Sequence, residues 1–330
     1  MMNESKGRLQ EFEALRGLSI VLLLALHSEV FDPQFFGEGT SPLAGLIAAF
    51  LLGSFFFLAG YFTEFSIQKN ANVFSFIKSK IIRIFPPYWL ALLLFVYGIG
   101  YSLKPFDFAI YFINLQAIFS PVFIKPLLTL WYISMLVVFY LFFCTLLFLV
   151  KSNIGLLIWS VTLFVIAYVS NVLIGLFDPR FFQYYIIFLA GIYFCRFAEI
   201  RKNLMALNFY NKIVLAIITA PLMWLVESYP LTNFLYVLIV VLFVLSWIWL
   251  WLGIFSTQIG AWKIWAFLST ASFFAYLYHR PLWYFLNQTL GIEGSQKVFF
   301  NLLIGSTLAL TLAYFLQRGY DKLLSALRLK

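Results

Sequence analysis

The sequence predicts an all-α, polytopic membrane protein, a single transmembrane domain over residues 1–330. It has about ten transmembrane helices, both termini cytoplasmic, and one re-entrant or interfacial segment near 108–124. Three observations lead there. Apolar residues make up 63% of the chain, aromatic residues 21% and charged residues 11%, with a mean hydropathy of +0.95, more than any soluble core requires. Apolar runs long enough to cross roughly 30 Å of hydrocarbon recur along the whole length. The net charge of +9 sits in short segments between those runs, which is how membrane proteins are oriented and not how nucleic acid is bound. Membrane lipid is therefore the expected surroundings, and nucleic acid is discarded as a partner.

The runs fall near 13–31, 43–63, 84–101, 128–150, 154–176, 182–198, 213–228, 232–252, 264–287 and 297–317. Lys6 and Arg8 ahead of the first run resemble a signal peptide, but no small-residue cleavage site follows His27 and Arg16 interrupts the start, so this run is expected to be retained as a span. The stretch 108–124 is apolar but broken by Asn114, Gln116, Ser120 and Pro121. If it does not cross, Lys69, Lys78, Lys80 and Arg83 share one side with Lys151, Arg196, Arg201, Lys202, Lys212, Lys263 and the tail carrying Arg318, Lys322, Arg328 and Lys330. That arrangement obeys the positive-inside rule throughout and places Asp32, Glu38, Asp178, Glu227 and Glu293 outside. Irregular backbone at 108–124 then needs protein around it.

Ionisable groups inside such spans mark functional sites by default. Arg16 and His27 are eleven positions apart, so on a helix they share one face, about 20° apart in projection and about 16 Å apart along the axis. His27 with a nearby carboxylate, Glu29 or Asp32, can accept a proton from a hydroxyl. Taken singly, Arg16 reads as a snorkelling residue at the inner boundary, paired with Glu13. The other histidine, His279, is expected at a depth similar to His27, beside a kink at Pro281. Lys78, Lys80 and Arg83 open the third span on the cytoplasmic side and can hold phosphates or simply anchor the helix. Pro86 and Pro87 follow, a pair tolerated at membrane depth only against protein or a cavity. Trp131 and Tyr132 can line a substrate slot. Cys144 and Cys195 lie in apolar segments and read as packing residues. No Gly-rich phosphate loop, serine nucleophile elbow or Cys/His metal cluster is present, so no metal is expected.

Taken together, five patches resemble the acyltransferase 3 family of integral-membrane O-acyltransferases. They are Glu13-Ala-Leu-Arg16-Gly-Leu running into His27, Gly53 to Tyr61, Arg83-Ile-Phe-Pro-Pro-Tyr88-Trp89, Leu130-Trp131-Tyr132, and Tyr276-Leu-Tyr278-His279-Arg280-Pro281. Where many members carry a glutamate-rich segment after the Trp patch, this chain has Ser134-Met135-Leu136-Val137. The resemblance implies transfer of an acyl group, usually acetyl, from cytoplasmic acyl-CoA to a hydroxyl of a glycan or lipid-linked saccharide, in a multi-pass protein of the inner (plasma) membrane. It implies His27 as base, Arg16 holding the donor and Arg83 at its phosphates. The candidate site is then His27, Glu29 and His279 for catalysis, Arg16, Arg83, Lys78, Lys80 and Tyr88 for acetyl-CoA, and Trp131, Tyr132, Tyr278 and Arg280 for the acceptor. The rival class is a transporter or flippase for saccharides or lipid-linked intermediates, with Arg16 and His27 as an anion site or proton relay.

Overall fold

A computed structural model of the protein describes residues 9–32, 41–69, 72–227, 229 and 233–329. Among these residues there is no strand. The helices, numbered in chain order, are α1 (Gln10–His27), α2 (Ser41–Lys69), α3 (Val73–Leu93), α4 (Pro105–Phe112), α5 (Gln116–Phe119), α6 (Trp131–Leu149), α7 (Asn153–Ile174), α8 (Phe181–Arg196), α9 (Ala198–Ala206), α10 (Phe209–Val226), α11 (Phe234–Phe255), α12 (Lys263–Leu290), α13 (Gly294–Phe300) and α14 (Ser306–Ala326). Wider turns at Leu94–Gly98 and Asn301–Gly305 extend α3 and join α13 to α14. Polar side chains mark the starts: Asn72 accepts from the Ser75 amide at α3 and Ser152 from the Gly155 amide at α7. Gly175 and Gly291, with φ of 70° and 62°, end α7 and α12 in the left-handed region that glycine enters without strain.

Among the described residues seven stretches are long and apolar enough to cross a bilayer: 42–69, 73–98, 128–149, 153–174, 209–226, 234–255 and 294–326. The bent pair α8 and α9, at 97°, makes an eighth if it is one span. The protein is thus a polytopic helical membrane protein. Two helices fall short for a reason that bears on function. α1 carries Glu11, Glu13 and Arg16 in only 18 residues, and α12 carries Ser269, Thr270, Ser272, three tyrosines, His279 and Arg280. α1 nevertheless packs along α2, α11 and α12, at the centre of the bundle. By contrast α7 presents Ile158, Trp159, Ile166, Val172 and Leu173 outward, an apolar face suited to lipid.

The segment 108–124 forms two short helices. At 1.5 Å per residue α4 is about 12 Å long and α5 about 6 Å, so neither can cross. Its backbone is satisfied by protein. Ser134 accepts from the Ala117 amide at 2.9 Å and donates to the Asn114 carbonyl at 2.8 Å, Gln116 accepts from the Leu127 amide at 2.9 Å, and the Asp178 amide donates to the Ala117 carbonyl at 2.8 Å.

Close approach fixes the helix pairs that matter most. Gly60 and Gly191 let α2 and α8 meet backbone to backbone, since a Cβ on either would strike a carbonyl of the other helix. Gly17 does the same for α1 against α12, where a Cβ would lie 3.0 Å from the Trp265 ring and 3.1 Å from Leu268. From that crossing α1 reaches His27 in ten residues and α12 reaches His279 in eleven from Leu268, so two parallel helices deliver their histidines to the same depth. Pro86, inside α3, deprives the Ile82 carbonyl of its helical donor, and the Tyr320 hydroxyl of α14 donates to that oxygen instead.

Candidate active site

At the far end of α1 the two histidines meet. His27 Nδ1 and His279 Nε2 are 2.8 Å apart, and the rings are nearly coplanar, 7° with centroids at 5.0 Å, meeting edge to edge through that contact. His279 is fully buried, and its Nδ1 lies 2.8 Å from the Ala275 carbonyl. A carbonyl only accepts, so His279 Nδ1 carries a proton. In a neutral pair His279 Nε2 then accepts from His27 Nδ1–H, which leaves the lone pair of His27 on Nε2. Trp283, one turn beyond on α12, sets its ring edgewise on His279 at 5.1 Å.

Toward the opposite end of α1 lies a cavity of about 480 Å³. Glu13 and Arg16 of α1, Phe55, Ala59 and Phe62 of α2, Lys80, Arg83 and Ile84 of α3, Tyr132, Leu136 and Tyr140 of α6, Ser269 to Tyr276 of α12 and Gln317 to Leu324 of α14 contribute to its wall. Arg16 lies over the Phe62 ring at 5.5 Å, and Lys80 over Tyr140 at 4.5 Å and Phe76 at 5.1 Å. Every cation on the wall comes from the N-terminal half of α1 or α3, so the positive charge gathers at one end. Tyr132 and Tyr276 line the cavity, their rings 5.0 Å apart, whereas neither histidine does.

Of the residues singled out in the sequence, the structure brings Arg16, Lys80, Arg83 and Tyr132 to this cavity and pairs His27 with His279. Others go elsewhere. Lys78 is exposed, because two positions on a helix turn it about 200° from Lys80. Tyr88 is fully buried and donates to the Tyr111 carbonyl at 2.7 Å, fastening α3 to α4 rather than facing the cavity. Tyr278 donates to the Pro87 carbonyl at 2.8 Å and serves the α3 to α12 contact. Glu29 is not the carboxylate of His27: φ of 69° at Glu29 ends α1 and leaves the side chain exposed, and the partner of His27 is a second histidine. Asp32 is exposed as well. Trp131 lies off the cavity under the Arg180 guanidinium, 3.6 Å from its ring centre, with Arg180 bound twice to Asp178 at 2.8 and 2.6 Å. Arg280 follows His279 and buries its Nε without a hydrogen-bond partner.

Sequence reasoning missed the α14 wall. Gln317, Tyr320, Asp321 and Leu324 follow i, i+3, i+4, i+7 spacing, a stripe that shares one helix face and was open to detection. Tyr140 gave no such signal, since it stands alone in an apolar run. Among the described residues no group of three or more His, Cys, Asp or Glu is placed to hold a metal ion.

The family of acyltransferase domains, acyltransferase 3, matches residues 9–318. The chain belongs to this family. The match runs from the start of α1 into α14, so it takes in the histidine pair and the cavity wall as far as Gln317, while Tyr320, Asp321 and Leu324 follow its end. An acyltransferase therefore has an acyl donor and an acceptor to bring together, in a protein of the membrane. Among curated proteins there is no match.

Proposed function

We propose that the protein transfers an acyl group, acetyl foremost, from cytoplasmic acyl-CoA to a hydroxyl of a glycan or lipid-linked saccharide at the outer side of the inner membrane. The observation that carries this reading is the arrangement along α1: a cation-lined cavity at one end and a hydrogen-bonded histidine pair at the other. The reading takes ten crossings with both termini cytoplasmic, so the Arg16 end faces the cytoplasm. Arg16, Lys80 and Arg83 hold the phosphates of the donor, Arg83 through a fork that can contact two oxygens at once. The pantetheine arm extends along the Arg16 face, and about 16 Å of helix rise separates that residue from His27.

The acceptor hydroxyl gives its proton to His27 Nε2 as its oxygen attacks the thioester carbonyl. The C–S bond then breaks, the acyl group stays on the acceptor oxygen, and the thiolate takes the proton back from His27 to leave as the thiol. His279 is a positioning residue. Anchored by the Ala275 carbonyl, it accepts from His27 Nδ1–H, fixing the tautomer and holding the imidazolium that forms. On the outer side Trp131 with Arg180, and Arg280 beside His279, are groups a saccharide can stack on and bond to.

Membranes containing the protein, incubated with acetyl-labelled acetyl-CoA, are expected to place label in saccharide or lipid. A transporter or flippase would leave none there.

A further inference from the structure

The cavity ends before it reaches the histidines. Its inner wall is Tyr132 and Tyr276, and Tyr276 precedes His279 by three positions on α12, about 4.5 Å along the axis. Both tyrosines are buried, and their rings meet at 5.0 Å and 54°. We infer that Tyr132 and Tyr276 set the length of the acyl group, leaving room at the wall for a thioester that carries acetyl or propionyl and stopping longer chains.

The wall is braced from behind, which separates a size limit from a loose flap. The Tyr276 hydroxyl donates to the Thr129 carbonyl, in the turn that leads directly into Tyr132. The Tyr132 ring packs on Phe56 at 4.7 Å, and Phe56 packs in turn on Phe139 at 5.3 Å and Tyr184 at 4.7 Å. Phe56 and Phe139 are fully buried, so the space a longer tail would need is already filled by aromatic rings. An acetyl group needs little more room than the thioester itself, whereas each further methylene must displace packed side chains. Hydrophobic sites discriminate one methylene by roughly 10–200-fold.

The inference rests on the functional reading above, and a chain-length series tests the two separately. The full-length protein in membranes is supplied with acetyl-, propionyl-, butyryl- and hexanoyl-CoA labelled in the acyl group. Wild type is expected to lose at least about tenfold in transfer between propionyl and butyryl. Tyr132→Ala and Tyr276→Ala should each raise the ratio of butyryl to acetyl transfer by about tenfold or more, while Tyr276→Phe, which keeps the ring, should leave that ratio within about twofold. Transfer from acetyl-CoA that persists undiminished to hexanoyl-CoA overturns the inference and leaves the functional reading standing. An unchanged ratio in folded alanine variants does the same. Transfer from no acyl-CoA overturns both. The wild-type series decides the matter even if the alanine variants fail to accumulate.

Discussion

The two ends of α1 handle buried polar groups in opposite ways. At the Arg16 end cations are packed on aromatic rings, with Arg16 over Phe62 and Lys80 over Tyr140, around open space. Aromatic faces hold a cation while leaving its N–H groups available, which suits a site that waits for an anion. At the other end His27 and His279 satisfy each other at 2.8 Å, leaving a single lone pair free on His27 Nε2. One end offers several cations around open space, the other a single proton acceptor. Each motif therefore looks weak alone: binding needs several ordinary cations brought together, and base chemistry needs only two histidines in register.

The two ends of α1 are expected on opposite sides of the membrane. With Cys144 and Cys195 replaced by Ala, single cysteines at Asn72 and Asn203 should be protected from an impermeant thiol reagent added outside intact cells, and those at Lys104 and Gly294 should react. Gln34, outside the described residues, should react too. Labelling at Asn203 from outside would put the basic segment after α8 on the outer face and contradict the orientation used here.

Within that frame, Arg16→Ala and Arg83→Ala should each weaken acyl-CoA binding by about tenfold or more, since each removes charge-assisted contacts to phosphate of about 1.5–3 kcal/mol. Arg83→Lys should recover part of the loss, because a point charge does not reproduce the fork. Calorimetry giving wild-type affinity in both alanine variants would detach the cavity from the donor. His279→Ala should slow transfer less than loss of His27 does. His279→Gln, which can still accept from His27 Nδ1–H, should restore some of it without altering acyl-CoA affinity. The smallest effect is expected at the support of α3. Tyr320→Phe leaves the Ile82 carbonyl without a donor, at about 1–3 kcal/mol, seen as a lower Tm of the detergent-solubilised protein. An unchanged Tm would mean that another group meets that carbonyl.

Much of this was legible in the sequence because membrane burial is harsh on polar residues. Arg16 and His27 stood out by cost and by their shared helix face, and the breaks at Asn114, Gln116 and Ser120 marked a segment that forms only short helices. The shared depth of His27 and His279 was legible, but not that the two rings bond each other directly. Glu29 was nearer in sequence, but a left-handed backbone at that position takes it away, while His279 comes from 252 residues along the chain through a Gly17 contact that sequence spacing does not encode. Tyr88 and Tyr278 sat in the right motifs for another reason. Each spends its hydroxyl on a backbone carbonyl that joins helices around the proline pair. Inside a bilayer, structural and catalytic side chains are drawn from the same polar residues, and only their partners tell them apart.

The division of labour along α1 stands or falls on His27→Ala measured for both functions. Acyl-CoA affinity should stay within about twofold of wild type, while transfer should fall by roughly 10²–10⁴-fold, the size of general-base effects. Transfer above about a tenth of the wild-type rate in the folded variant would contradict the base assignment, and a matching loss of acyl-CoA affinity would contradict the separation of the two ends.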